Sequence, residues 1–294
     1  MSDQSKQKVS RLPITKTYKV YINGKFARTE SGRYYSLAGS RGDFAGNICL
    51  CSRKDFRNAV VAARAATSVW AHNSAYLRGQ ILYRMAEMLE GRHEQFVSEL
   101  AGTGMTPRAA ARETSAAVDR LVYYAGWSDK YQQVFSSVNP VSSDHLNFSM
   151  LDPMGVVAIL APEESALLGL VSAIAPAMAG GNACVVLASH GRPAAAMSFC
   201  EVLHASDVPA GVVNLLTGRR KDLLQSFASH MDVNAVVCYG HDGAEKKTVQ
   251  ENAALNVKRT ILRCDTDFHS PSSQGPYHIL DTQEIKTTWH PVGI

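Results

Sequence analysis

"GVVAILAPEESALLGLVSAIAPAMAGGNACVVLASH", Gly155 to His190, decides the fold. It opens with a continuous apolar strand, Gly155 to Leu160. A helix-length stretch follows, up to Gly180. A second apolar strand, "ACVVLA", closes it. Short unbroken apolar strands are buried on both faces, and a helix between two of them makes a parallel crossover. The same pattern continues downstream. "GVVNLL", "NAVVCY" and "RTIL" read as further strands, separated by helices through Met197 to Ala205, around Asp222 to His230, and to about Ala254. The pattern predicts an α/β fold: a doubly wound, mostly parallel sheet with helices on both faces. Ligands of such sheets bind beyond the carboxyl ends of the strands. No G-x-G-x-x-G follows the first strand, which ends in "LAPEESALL", so the usual dinucleotide fingerprint is absent.

Upstream, "KVYINGKF" (Lys19 to Phe26) carries an Asn-Gly turn between strand-like residues and predicts a hairpin. "SRKDFRNAVVAARAATSVW" starts with a capping-box pattern, Ser52 and Asp55, and runs on at helical spacing. "RGQILYRMAEMLEGRHEQFVSEL" predicts one amphipathic helix across Arg78 to Leu100, with Arg92 on its apolar stripe, its head snorkelling to water. A third helix is predicted over Arg112 to Lys130. "NFSMLDPMGVV" predicts a strand, a turn at Pro153 and a new strand. The expected organisation is a hairpin-and-helix segment over 1–135, a hairpin over 136–153, a Rossmann-like βα core over 154–268, a linker over 269–277 and a terminal strand over 278–294; the resemblance described below implies oligomerisation through the hairpin and the terminal strand.

The composition is that of a globular chain: 294 residues, 46% apolar, 19% charged, net charge +4. No run of like charge suggests nucleic acid as a partner. "MSDQSKQKVSRLPITKTY" lacks the apolar core of a signal peptide. The longest apolar run, Ser165 to Gly180, is short for a membrane span and contains Pro176, so a buried helix is the better reading. The six cysteines form no C-x-x-C pair and no zinc-like spacing with histidine, so no metal site is expected. A reducing cytoplasm fits them best.

Six segments, in order, carry a resemblance: "YYAGWSDK" (Tyr123 to Lys130), "PMGVVAILAP" (Pro153 to Pro162), "IAPAMAGGNACVV" (Ile174 to Val186), "VPAGVVNLLTG" (Val208 to Gly218), "SHMDVNAVVCYG" (Ser229 to Gly240) and "NVKRTIL" (Asn256 to Leu262). Together they resemble the aldehyde dehydrogenase superfamily. "IKTTWHP" (Ile285 to Pro291) resembles that family's C-terminal arm, which reaches across to a neighbouring subunit.

The resemblance also marks what is missing. The family follows its first strand with Pro-Trp-Asn, whose Asn helps form the oxyanion hole; here Pro162 is followed by Glu163 and Glu164. An ionised carboxylate offers no donor and repels a growing negative charge. Leu187 stands where the family has a Lys for the adenosine ribose, and His190 where it often has a Glu. Cys238-Tyr239-Gly240-His241 replaces Phe-Thr-Gly-Ser, whose Ser faces the cofactor pyrophosphate. Arg263, Cys264, Asp265 and Thr266 replace Glu-Leu-Gly-Gly, and an arginine cannot be the general base. "HSPSSQGPY" then leads straight to the arm, where the family's catalytic domain would follow. The resemblance therefore implies a short, non-catalytic member, similar to the family's pseudo-subunits. It would join itself or a full-length NAD(P)-dependent aldehyde dehydrogenase. The alternatives are an NAD(P)- or anion-binding sensor module and an aldehyde oxidoreductase.

Pro162, Gly218, Arg219, Gly240 and His241 are the vestigial cofactor-binding candidates, for NAD or NADP held weakly or lost. No catalytic residue is assigned. Cys264 would need a base and an oxyanion hole, so it reads as a small filler residue. Glu163 and Glu164 read as acids favoured at a helix start. "GRRKD" (Gly218 to Asp222) places three cations where a helix dipole opposes them; an anion would explain this, but exposed loops often carry such clusters. In "EIKTTWHP", Ile285, Thr287 and Trp289 share one face of an isolated terminal strand, and burial against another chain is the expected use.

Overall fold

The structure, a computed structural model, describes residues 16–293 apart from 40, 41, 43, 265 and 266. Most of the polar N-terminal stretch, and Asp265 and Thr266, thus lie outside the described residues. In chain order, β1 (Lys16–Tyr18), β2 (Val20–Ile22), β3 (Lys25–Ala27), β4 (Tyr34–Ala38) and β5 (Phe44–Cys49) precede α1 (Arg53–His72), α2 (Ala75–Glu90), α3 (His93–Gly102), α4 (Pro107–Trp127) and the short α5 (Tyr131–Phe135). A hairpin of β6 (Ser137–Asn139) and β7 (His145–Pro153) follows. Then come β8 (Val156–Leu160), α6 (Leu168–Ala179), β9 (Ala183–Leu187), α7 (Pro193–His204), β10 (Val213–Leu216), α8 (Arg220–Ser229), β11 (Ala235–Tyr239), α9 (Gly243–Ala254) and β12 (Arg259–Arg263). The single-turn α10 (Tyr277–Leu280) and β13 (Gln283–Pro291) complete the chain.

The principal sheet has seven strands in the order β12-β11-β8-β9-β10-β2-β3. Its five central βα strands are parallel, as the apolar runs predict. The β2–β3 hairpin adds an antiparallel edge beside β10. Asn23 and Gly24, at φ 52° and 70°, make its turn, because a two-residue hairpin needs positive φ at both positions. Side chains alternate through β8. Val157 and Ile159 enter the core shared with α2, α3, α4, α6 and α7. Val156, Ala158 and Leu160 enter the opposite core, shared with α1, α8 and α9. Two-sided burial is why these strands read as unbroken apolar runs.

Two readings of the sequence change. The stretch Arg78 to Leu100 is two helices, not one: α2 ends at Glu90, and α3 starts at His93. Gly91 provides the break, and Arg92 turns out of the helical path (φ −115°, ψ 17°) to pair with Glu201 at 3.1 Å. The third helix starts earlier than Arg112, at Pro107, because Thr106 caps it and proline suits a first helical position. The capping box of α1 forms as expected: the Ser52 hydroxyl accepts from the Asp55 amide, and the Asp55 carboxylate accepts from the Ser52 amide.

The terminal strand is not isolated. β13 pairs antiparallel with β7 of the same chain, from Gln283↔Pro153 to Pro291↔His145, in a three-stranded sheet β13-β7-β6. Its backbone partner is therefore internal, while the side chains from Glu284 onward stay exposed.

Candidate functional site

The carboxyl ends of β8 to β12 form the crevice where such sheets take ligands. Glu163, three residues past β8, fills part of it. Its carboxylate accepts from the Ser189 hydroxyl at 2.6 Å, the His190 amide at 3.0 Å and the Gly191 amide at 3.3 Å. These donors follow β9, at the approach to α7. Arg220, in the first turn of α8, closes the other side. Its guanidinium lies 3.9 Å from Glu163 and 3.1 Å from Glu245 of α9, and donates to the carbonyls of Leu160 and Ala161. The Arg220 side chain is 13% exposed and that of Glu163 40%, so the arginine is held inside while the Glu163 carboxylate still reaches solvent.

Gly240, one residue past β11, has φ +146°, and a Cβ there would lie 3.2 Å from the Arg220 guanidinium. The glycine is thus required both by backbone geometry and by the arginine beside it. Gly218 is buried, but a Cβ on it would meet its neighbours at ordinary distances, so the structure makes no special demand for glycine there. Pro162 is buried against α6, where Gly169 makes room: a Cβ at that position would stand 2.4 Å from the proline ring. Arg219 and His241 are both exposed. Arg219 shares a hollow of about 360 Å³ with Glu163, His190 and Lys221. The Tyr35 ring packs against that of His190, tilted by 37° with ring centres 4.7 Å apart. Burial raises the Tyr35 phenol well above its ordinary range. Glu164 points to solvent.

A second cradle sits at the start of α6. Leu167, its cap residue, supplies no side-chain acceptor. Glu113 of α4 takes that role from outside the helix. Its carboxylate accepts from the Leu167 amide at 3.0 Å, the Leu168 amide at 3.3 Å and the Ser165 hydroxyl at 3.0 Å. Seven residues on, Arg120 donates to the Phe268 and Ser273 carbonyls and to the hydroxyls of Ser172 and Ser273. Arg120 is 4% exposed and finds no carboxylate among the described residues, and burial lowers its pKa. It clamps the turn after β12 onto α6. Tyr239 and Phe268 pack beside it, 5.9 Å apart.

Arg263, the last residue of β12, forms an ion pair with Asp281. Cys264 is exposed and not the buried filler its type suggests; Lys246 Nζ stands 2.8 Å from its sulfur. No histidine or backbone donor pair converges on it among the described contacts. The other five cysteines are buried. Burial pushes the Cys184 thiol up to about 12, and the Cys51 and Cys200 thiols also well up, so these are protonated side chains of the core. Among the described residues, no group of three His, Cys, Asp or Glu could hold a metal. No described helix is long and apolar enough to cross a membrane.

Of the five candidates the sequence offered, Arg219 lines the hollow beside Glu163 and Gly240 stands beside Arg220, while Pro162 and Gly218 are buried and His241 is exposed. The sequence reading missed Glu113 and Arg120. Their signal was present: both sit on the stripe Ala110, Thr114, Ala117, Leu121 and Tyr124, where α4 is otherwise apolar or small.

Comparison with known proteins gives the family and supports the fold. Residues 26–267 match the sequence model of the aldehyde dehydrogenase family. Omega-crystallin of Enteroctopus dofleini is 30% identical over 267 residues, which cover 86% of this chain and 51% of that protein. Cytosolic 10-formyltetrahydrofolate dehydrogenase of Mus musculus is 28% identical over 260 residues, covering 86% of this chain and 29% of its own length. The NAD+ complex of aldehyde dehydrogenase from Bacillus cereus superposes with a TM-score of 0.80 at 25% identity, over 84% of this chain and 50% of that one. The chain thus spans about half the length of the omega-crystallin it matches.

Proposed function

Because the chain belongs to the aldehyde dehydrogenase family, we propose that it serves as a non-catalytic member, a structural or regulatory subunit that assembles with itself or with a full-length NAD(P)-dependent aldehyde dehydrogenase. One observation carries this reading. The two sets of backbone donors facing the crevice, at the start of α6 and after β9, are taken by the chain's own carboxylates, Glu113 and Glu163. An oxyanion hole or a phosphate cradle needs free donors. Both sets are occupied by negative charge.

The same contacts speak against a nicotinamide dinucleotide in this crevice. Glu163 puts a carboxylate in the crevice that would repel a pyrophosphate there, and Leu187, at the position that the resemblance matches to the ribose-binding lysine, has no donor. Weak or lost NAD(P) binding is the reading, with Pro162, Gly218, Arg219, Gly240 and His241 as remnants of the cradle. Among the described residues between β12 and α10, the one regular element is a 3-10 segment, Pro271–Ser273. This supports a chain that passes from the nucleotide-binding-type core directly to the arm. Segments 136–153 and 278–294, which pair as β7 and β13, would form the assembly unit, with Ile285, Thr287 and Trp289 at the contact. The cytoplasm is the proposed compartment.

Native mass spectrometry tests the proposal. A homodimer, or a mixed assembly with a full-length family member, is expected. A lone monomer in both samples overturns it. NADH production from an aldehyde panel by the pure chain, abolished by Cys264→Ala, would instead establish an aldehyde oxidoreductase.

A further inference from the structure

We infer that the groove between the N-termini of α1 and α8 is a binding site for a multiply phosphorylated small molecule. The inference does not depend on the assembly reading above, and the groove lies beside the crevice rather than in it. Its volume is about 730 Å³, large enough for a nucleotide-sized ligand and much larger than a single anion needs. Arg33, Arg53 and Lys54 line one side, and Arg219 and Lys221 the other. Asp222 is the sole acid on the wall. Five cations against one carboxylate give this concave place a local excess of positive charge, and a cleft of one sign focuses its field on a counter-ion.

Most of these cations lack an internal partner. Lys54 pairs with Glu30. Arg33, Arg53, Arg219 and Lys221 make no ion pair among the described residues; Arg33 reaches only the Ser31 hydroxyl. Arg220, their neighbour in sequence, is turned inward and fully engaged by Glu163 and Glu245. The loop thus separates its cations by use: one neutralised inside, two held over the groove. The backbone adds to this. Arg219 is the cap residue of α8 and makes no side-chain cap; the Asp222 amide donates to the Arg219 carbonyl at 3.0 Å, and no side chain closes the first turn. α1 differs, since its start is closed by the Ser52–Asp55 box. Cationic side chains at a helix N-terminus oppose the dipole, and an anion between them reverses the sign of that contact. Leu223 and Cys51, both buried, give the floor an apolar character suited to a ligand with an organic portion.

Cations on two opposed walls favour a ligand with phosphoryl groups at more than one position. Inorganic tripolyphosphate is the probe, with orthophosphate as comparator, in calorimetric titrations of the full chain. The expected result is binding of tripolyphosphate that orthophosphate does not match. It weakens as salt rises from about 0.05 to about 0.5 M, as contacts between exposed charges do. The double variant Arg33→Ser, Arg53→Ser should weaken it by roughly tenfold. Both side chains are exposed, and an unchanged melting temperature without ligand confirms that the variant folds. These two residues line the groove and not the crevice, so their effect assigns the ligand to the groove. Three results overturn the inference: no heat at millimolar tripolyphosphate, affinity equal to that of orthophosphate, or the same affinity in the double variant.

Discussion

The Glu113 carboxylate of α4 stands 3.0 Å from the Leu167 amide at the start of α6. One helix thus caps another across 54 residues of sequence. A capping side chain normally comes from the helix it caps. Here the cap also joins the α4 layer to the sheet's carboxyl edge, and it engages the Leu167 and Leu168 amides.

Replacing this carboxylate should be costly. Glu113 is 3% exposed and accepts three hydrogen bonds. Glu113→Ala leaves two backbone donors and a hydroxyl without a partner in a dry site. The expected loss is roughly 3 kcal/mol in denaturant unfolding. Glu113→Gln keeps one acceptor oxygen and should lose about half of that. Equal stability of the alanine variant and the natural chain would show that α6 does not need the cap.

Arg120 is expected to behave as a clamp. Arg120→Ala removes the donors that hold the Phe268 and Ser273 carbonyls. We expect a loss of roughly 2–4 kcal/mol. Amide exchange should rise across 268–276 and much less in β8 or β9. Uniformly faster exchange would mean that Arg120 stabilises the whole domain and not this turn.

Glu163 offers a test of the occupied cradle. In the Arg33→Ser, Arg53→Ser background the groove contributes little. Adding Glu163→Ser then frees the His190 and Gly191 amides. Pyrophosphate should raise the melting temperature of this triple variant by roughly 2–4 °C, the response to about 1 kcal/mol of binding in a domain of this size. The double variant should not respond. The Glu163 side chain is 40% exposed, so its loss alone should change stability little.

The βα core was legible because its strands are buried on both faces, which leaves apolar runs such as Val156–Leu160 that nothing else explains. The β2–β3 turn was legible because Asn23-Gly24 meets a backbone demand few residues meet. The break at Gly91 was not, because apolar spacing continues through α2 into α3 and only the Arg92–Glu201 pair shows where the chain bends. The site was half legible. Glu163 was noticed, but its partners lie 26 to 28 residues away, in a loop whose donors are backbone amides and carry no signal in the sequence. Arg220 was read with its neighbours as one cationic cluster, since three adjacent cations do not reveal which turns inward.

Lys258 predicts a pH dependence. Its ammonium donates to the His230 carbonyl at 2.5 Å, and burial lowers its pKa from 10.5 to about 8. The folded state then releases its proton before the unfolded state does. Between pH 8 and 10.5 the unfolded chain binds more protons, so stability rises with pH on account of this group. Below pH 8 both states are protonated and the burial penalty is fully present. Lys258→Met should therefore gain most over the natural chain near pH 7, with the gap closing toward pH 10. Denaturant unfolding of the pair at intervals between these values checks it, and a constant gap would rule out the titration. Tyr18, Tyr21 and Tyr124, raised to about 12, act in the opposite sense at higher pH and are common to both chains.

The arm predicts a separation between folding and assembly. Ile285 is 70% exposed and Trp289 58% exposed, although β13 is fully paired with β7 through its backbone. Their side chains add little to the fold of one chain, while an apolar face of this kind is used when another chain covers it. Thr287 is tied to Ser149 at 2.8 Å, which keeps this face aligned with β7. Ile285→Ser with Trp289→Ser should leave the unfolding free energy of a single chain within about 0.5 kcal/mol, as surface changes do. It should also convert dimers or mixed assemblies to monomers in native mass spectrometry. Unchanged assembly in the double variant would move the contact elsewhere. A large loss of monomer stability would mean that Trp289, whose ring lies 5.9 Å from that of His145, serves the three-stranded sheet itself.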